Sequence, residues 1–187
     1  MVTRVTDEDR RRWDATYAAE RDRAGGALPG PPDVFEPYRD LFPTSGHALE
    51  LACGRGTTSV WLAVRGLDVL GVDVSPVALS QARDLAARFR VSGRCRFETA
   101  DLDLGLPAGP PAAVIVCHMF RDERLDRPVM ERLTAGGLLA VAARSQAGAT
   151  GSGRYRAAPG ELRSAFAGLS VLAHGEGEGR AWLLARK

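Results

Sequence analysis

The stretch that decides the fold reads Glu50-Leu51-Ala52-Cys53-Gly54-Arg55-Gly56. It follows a short apolar run and precedes a helix-like segment, so it predicts a strand, a tight turn and a helix. Gly54 and Gly56 allow the backbone of this turn to approach a ligand closely. In an open α/β sheet, ligand crevices form beyond the carboxyl ends of the strands, and we expect this turn to lie at such a crevice.

Apolar, strand-like segments alternate with helical segments along the chain from this turn onward. The predicted strands cover residues 48–52, 68–72, 94–98, 112–117 and 137–143, and the predicted helices between them cover residues 57–65, 75–89 and 125–133. Ser75 followed by Pro76 is a favourable start for a helix. This alternation is typical of a Rossmann-like α/β fold with a mostly parallel sheet and helices on both faces.

Both ends of the chain depart from this rhythm. After a predicted helix at residues 159–167, strands at 169–174 and 180–185 are separated only by a glycine-rich turn. Two strands this close must be antiparallel, because a parallel return needs a longer crossover. At the other end, predicted helices at residues 6–24 and 34–41 form a leader. We therefore divide the chain into a helical leader or lid, residues 1–45, and a ligand-binding domain, residues 46–187.

Composition and charge exclude several classes of protein. The chain has 187 residues, of which 45% are hydrophobic and 26% charged, with a net charge of +2. It is therefore expected to be globular, without a nucleic-acid footprint. The three cysteines are too scattered to predict a disulfide framework or a metal site. No signal core or membrane-spanning stretch is present, so we expect a cytoplasmic protein with no membrane partner.

Two aspartates follow the predicted strands beyond the turn. Asp73 ends the second strand, where a carboxylate can accept hydrogen bonds from both hydroxyls of a ribose. Asp101 ends the third, with Leu102 beside it to cover an adenine ring. A dinucleotide site would need a third glycine where the chain has Ser59. The acidic Glu50 also suits a cationic ligand better than a pyrophosphate, and S-adenosylmethionine is such a ligand.

Four motifs in this order resemble those of class I S-adenosylmethionine-dependent methyltransferases: residues 50–56, 71–75, 100–102 and 133–137. The resemblance covers about residues 34–187 and implies a seven-stranded sheet that ends in an antiparallel hairpin. Alanine replaces the family's first motif glycine at Ala52. The short length and the leader with Trp13 and Tyr17 are similar to the small thiopurine and tellurite-resistance type branch.

The resemblance implies a role for each motif residue. Gly54 and Gly56 would lie under the methionine part of S-adenosylmethionine, with Glu50 near its ammonium group. Asp73 would hold the ribose and Asp101 the adenine amine. The remaining residues assigned to the cofactor site are Trp13, Ala52, Cys53, Val74, Leu102 and Cys117.

His118, at the end of the fourth strand, is the candidate catalytic residue. A histidine titrates near neutrality and can take a proton from a hydroxyl during methyl transfer. The alternative is a histidine that only bonds the backbone or closes the pocket. Cys117 reads as buried strand filler rather than as a nucleophile.

Candidate substrate contacts are Tyr17, Arg121, Arg144 and Tyr155. Arg121 and Arg144 follow the fourth and fifth strands and can recognise an anionic or polyhydroxylated substrate. The alternative is that both are surface arginines in an arginine-rich chain. Residues 145–158 read as a loop carrying Tyr155, either a substrate lid or an idle connection.

The sequence thus predicts methylation of a small molecule, by a monomer or a homodimer. Our first choice is O-methylation of a hydroxylated metabolite such as a sugar. The alternatives are S-methylation of a thiol or chalcogen, a non-catalytic module that binds the cofactor, and an NAD-dependent enzyme, which Ser59 and Asp101 disfavour.

Overall fold

A computed structural model describes residues 7–19, 28–146 and 155–187. Its strands are β1 (His47–Leu51), β2 (Asp68–Asp73), β3 (Cys95–Thr99), β4 (Ala112–His118), β5 (Leu133–Ser145), β6 (Arg156–Ala157), β7 (Ser170–Gly177) and β8 (Arg180–Arg186). Its α-helices are α1 (Asp7–Ala19), α2 (Thr57–Val64), α3 (Pro76–Arg88), α4 (Asp126–Arg132) and α5 (Glu161–Ala165), and short 3₁₀ helices lie at Asp33–Leu41, Leu102–Leu104 and Glu123–Leu125.

The strands form one sheet in the order β3-β2-β1-β4-β5-β8-β7, and the short β6 pairs with the end of β5. Strands β1 to β6 pair with one another in parallel, whereas β8 runs antiparallel to both β5 and β7. The predicted Rossmann-like sheet with its terminal antiparallel hairpin is confirmed. Within the described residues the sheet has eight strands rather than seven, because β6 forms within the segment predicted as a loop.

Apolar side chains cover both faces of the sheet. On one face, α4 and α5 pack through residues such as Val129 and Leu162. On the other face, the 3₁₀ helix at residues 33–41 and helix α2 pack through Phe35 and Trp61. Both faces of the central strands are therefore buried, as expected for strands between two helical layers.

The leader contains two parts that attach differently. Phe35 in the 3₁₀ helix is fully buried against the sheet, whereas helix α1 has no buried residue. Helix α1 is held on the start of α3 by two hydrogen bonds: Ser75 Oγ donates to Asp14 Oδ1 at 2.5 Å, and Gln81 Nε2 donates to the Tyr17 carbonyl at 2.9 Å. That residues 1–45 act as a lid stays a prediction.

Several predicted boundaries shift. Strand β5 begins at Leu133, the last residue of the predicted helix, rather than at residue 137. Strand β3 ends at Thr99, so Asp101 lies two residues beyond the strand it was predicted to end. The helix predicted at residues 6–24 is seen at Asp7–Ala19, and its remainder lies outside the described residues. So does most of the predicted loop, residues 147–154.

Candidate active site

A cavity of about 280 Å³ opens at the carboxyl ends of strands β1, β2, β4 and β5, beneath helix α1. Nine of the residues predicted for the site line it: Trp13, Tyr17, Ala52, Asp73, Val74, Leu102, His118, Arg144 and Tyr155. Four lining residues were not predicted: Asp9, Ala100, Met119 and Phe120. Their proximity to Trp13, Leu102 and His118 along the chain was the only sequence signal for them.

The turn after β1 is tied to the end of β2 through Asp73. The Gly54 amide donates to Asp73 Oδ2 at 2.8 Å, and the Ser75 amide donates to Asp73 Oδ1 at 2.9 Å. The side chain is buried, and this burial raises the pKa of Asp73 despite the bonds that favour its charged form. Asp73 therefore fixes the shape of the turn and also borders the cavity.

The turn itself uses left-handed backbone conformations at Ala52, Gly54 and Gly56, with φ of 50°, 53° and 71°. A side chain at Gly56 would meet Ala82 at 2.8 Å, and one at Gly54 would meet the Tyr17 hydroxyl at 2.8 Å. Gly56 therefore allows close packing on α3, and Gly54 allows Tyr17 to lie over the turn. Neither glycine lines the cavity, although Gly54 lies against Tyr17, which does.

Glu50 lies beneath the turn in the sheet and is fully buried. Its Oε2 accepts a 2.5 Å hydrogen bond from the Ser59 hydroxyl. Burial raises the pKa of Glu50 to about 7, an effect that the bonds to Ser59 and Thr58 only partly offset. A buried carboxylate with no cationic partner is costly, so this acid favours a positive charge nearby.

Asp101 and Asp103, two residues further along the chain, differ in their surroundings. Asp101 caps a 3₁₀ turn by accepting a hydrogen bond from the Asp103 amide at 2.9 Å. The Asp103 side chain has no exposed surface and pairs with Arg124 at 2.6 Å. Asp103 is therefore occupied, and Asp101 is the acid that remains half-exposed beside Leu102 of the cavity wall.

His118 ends β4, and its side chain lines the cavity. Its Nε2 atom is buried without a hydrogen-bond partner among the described residues. Burial lowers the pKa of His118, and nearby Asp33 opposes that shift while Arg180 adds to it. The imidazole is therefore neutral near pH 7, with an unpaired ring nitrogen.

Two other candidates near the end of β4, Arg121 and Cys117, differ sharply from His118. Arg121 does not line the cavity; it is 8% exposed and forms ion pairs with Asp126 and Glu161. Its guanidinium holds α4 and α5 to the end of β4. Cys117 is likewise buried, does not line the cavity, and donates to the Phe120 carbonyl, with burial raising the pKa of its thiol to about 12. Arg121 and Cys117 thus make contacts that hold these elements together. Cys53 is also buried, behind the turn.

This strand order, the glycine turn and the cavity at the carboxyl edge define a class I methyltransferase fold. A sequence model described as a methyltransferase domain matches residues 48–137. The predicted class is confirmed by this match together with the fold.

Individual proteins are also similar to this chain. A segment of 49 residues is 43% identical to ribosomal RNA small subunit methyltransferase C from Alcanivorax borkumensis. It covers 26% of this chain, and the chain spans only 15% of that relative's length. Among solved structures, TehB from Haemophilus influenzae superposes with a TM-score of 0.74 at 18% identity, over 94% of this chain and 67% of TehB.

A second solved structure extends the comparison to the whole chain. Magnesium protoporphyrin IX methyltransferase from Synechocystis PCC 6803, which holds bound SAH, has a TM-score of 0.69 at 16% identity, over 97% of this chain and 99% of its own. These superpositions establish the fold, and the likeness to TehB agrees with the branch that the sequence suggested.

Proposed function

We propose that this protein transfers the methyl group of S-adenosylmethionine to a hydroxyl group of a small molecule. The observation that carries the proposal is the polarity of the cavity. Two acids, Asp9 and Asp73, line it together with His118 and Arg144. The acids belong to α1 and β2, and the basic groups to β4 and β5. One end thus suits a cationic cofactor and the other a nucleophile that must lose a proton.

The residues at the acidic end fit S-adenosylmethionine. Asp73 presents a buried carboxylate, and Val74 and Leu102 supply apolar walls for a ring. Glu50, buried below the turn, would gain a cationic partner when the ammonium group binds nearby. Asp101 keeps one oxygen for the adenine amine, since its Oδ1 accepts from Asp103. Because this end of the site is acidic, it disfavours a ligand with an anionic pyrophosphate, such as NAD.

When bound, S-adenosylmethionine supplies the methyl group as an electrophile and leaves as S-adenosylhomocysteine. In this proposal the imidazole of His118 takes the acceptor's hydroxyl proton as the new oxygen–methyl bond forms. The lowered pKa keeps the imidazole able to accept a proton near neutral pH. Tyr17, Tyr155 and Arg144 line the space beside it and would orient the acceptor.

S-methylation of a thiol is the second candidate, and it makes a different demand on the site. A thiol ionises more readily than an alcohol, so its methylation depends less on a base. The lowered pKa of His118, which keeps a base available in the cavity wall, favours the hydroxyl acceptor. We also propose a cytoplasmic location and a monomeric or homodimeric state. No described helix is long and apolar enough to cross a membrane.

The test is a methyl-transfer assay with S-adenosylmethionine labelled in its methyl group and a panel of sugars, phenols, hydroxy acids and thiols. We expect labelled product with a hydroxylated acceptor, and loss of that product in His118→Gln with retained S-adenosylhomocysteine binding. Transfer only to thiols would support the second candidate instead. Cofactor binding with no transfer to any acceptor would indicate a binding module.

A further inference from the structure

Three arginines lie side by side where the sheet reaches the cavity. In the strand register, Arg144 of β5 is opposite Arg180 of β8 on one side and Arg156 of β6 on the other. Registered neighbours share a face of the sheet, and like charges placed directly opposite one another are unfavourable. A row of three positive charges is therefore a feature that needs compensation.

The described residues compensate this row only in part. Asp33 Oδ2 pairs with Arg180 at 2.6 Å, and Glu178 lies close enough to raise the pKa of Arg180 further. Arg156 donates to the Ser145 carbonyl, which is uncharged. The side chain of Arg144 makes no hydrogen bond or ion pair with any residue in the described ranges, and Arg144 is exposed and lines the cavity. Arg144 thus lines the cavity without an acidic partner among the residues that the structure describes.

The register also fixes where Arg144 lies relative to His118. His118 is opposite Ala142, and Arg144 is two residues further along β5, so both side chains project from the same face. With neighbouring strands about 4.8 Å apart and a rise of about 3.3 Å per residue, the Cα atoms of these two residues are separated by about 8 Å. A small molecule held by Arg144 can therefore present a second group to His118.

We propose that the methyl acceptor is a hydroxy acid whose carboxylate is bound by Arg144 while its hydroxyl faces His118. Arginine suits this task because its planar guanidinium forms two parallel hydrogen bonds with a carboxylate. Arg180 and Arg156 flank Arg144 and add to the positive potential, and Asp33 limits it by occupying Arg180. This inference rests on the proposed function and narrows its substrate class.

The test uses protein loaded with S-adenosylhomocysteine and two pairs of probes that differ only in charge: 4-hydroxybenzoate with 4-hydroxybenzamide, and gluconate with gluconamide. Calorimetry should show that at least one acid binds more tightly than its amide. Arg144→Gln should weaken the binding of that acid by about tenfold or more, as expected for loss of a charge-assisted hydrogen bond. The affinity for the matching amide should not change. Arg163→Gln, which removes an exposed arginine of α5 outside the cavity, is the matched control.

Asp33→Asn provides a test in the opposite direction. It frees Arg180 from its carboxylate partner, so affinity for the acid should rise several-fold, as for other gains in electrostatic complementarity. Equal binding of acid and amide across both pairs, or an unchanged acid affinity in Arg144→Gln, would overturn the hydroxy-acid inference. Failure of the wild type to bind S-adenosylhomocysteine at all would instead overturn the proposed function, so the two failures are distinguishable.

Discussion

The amide nitrogen of Gly54 donates a 2.8 Å hydrogen bond to Oδ2 of Asp73, which joins the turn after β1 to the end of β2. The second oxygen of the same carboxylate accepts from Ser75 at the start of α3. One buried side chain therefore sets the relative positions of two elements that border the cavity. A ligand that bonds to Asp73 binds a group whose orientation is already fixed, which lowers the ordering cost of binding.

Replacement of Asp73 by asparagine should weaken S-adenosylhomocysteine binding by about tenfold or more, because the charge that accepts the ribose hydroxyls is lost. Calorimetry measures this directly. Asp84→Asn on the exposed side of α3 is the control and should bind normally. Normal binding by the Asp73 variant would refute the ribose assignment.

Glu50 should couple protein stability to pH. Its pKa is raised from 4.5 to about 7, so the folded protein binds more protons than the unfolded chain between these values. Stability contributed by this group therefore falls as pH rises through that window and stays reduced above it. Glu50→Gln should remove the penalty, stabilising the unliganded protein at pH 8 by up to about 3 kcal/mol relative to wild type.

The measurement is urea denaturation of wild type and Glu50→Gln at pH 5 and pH 8. The stability gain of the variant should be larger at pH 8. The same variant should bind S-adenosylhomocysteine more weakly, because the ammonium group loses its acidic neighbour. A stability difference that is independent of pH would show that Glu50 is already ionised at pH 5.

His118 should govern the pH dependence of turnover. Burial places its pKa below 6.5, so the proton-accepting form is present at lower pH than for an ordinary histidine. The acidic limb of kcat should fall as pH drops through that lowered value. His118→Gln should abolish this limb and reduce kcat by about 10²–10⁴-fold, the usual contribution of a general base. The exposed His174 of β7, changed to glutamine, should leave the profile intact. If kcat of His118→Gln keeps the wild-type pH dependence, His118 is not the general base.

Arg121 should matter for stability and not for substrate. Its guanidinium is buried between Asp126 and Glu161, so Arg121→Gln leaves two acids without their partner. The expected loss is about 3 kcal/mol or more in the free energy of unfolding, measured by denaturation, with retained S-adenosylhomocysteine affinity. Arg127→Gln, which removes an exposed pair with Glu131, should change stability little. A specific loss of acceptor binding in the Arg121 variant would restore its predicted substrate role.

The sheet was predictable from sequence because its strands and helices carry distinct apolar patterns, and Ser75-Pro76 marks a helix start that the structure confirms by a bond from the Ala78 amide to Ser75 Oγ. Strand β6 could not be predicted, because a strand of two residues is too short to show an alternating apolar pattern. Its place in the sheet is set by β5 extending past the end of β4.

The candidate site was predictable to the extent that strand ends meet at one sheet edge. That rule placed Asp73, His118 and Arg144 together. It did not separate Arg144 from Arg121, because the difference lies in Asp126 and Glu161, acids contributed by helices elsewhere in the chain. The occupation of Asp103 by Arg124 was likewise invisible in the sequence.

The most direct test of the central claim is calorimetric titration of the wild-type protein with S-adenosylhomocysteine and, separately, with NAD. We predict one S-adenosylhomocysteine bound per chain and no measurable binding of NAD, because the acids at the turn favour a cationic ligand without phosphates. Binding of NAD and not of S-adenosylhomocysteine would contradict the account.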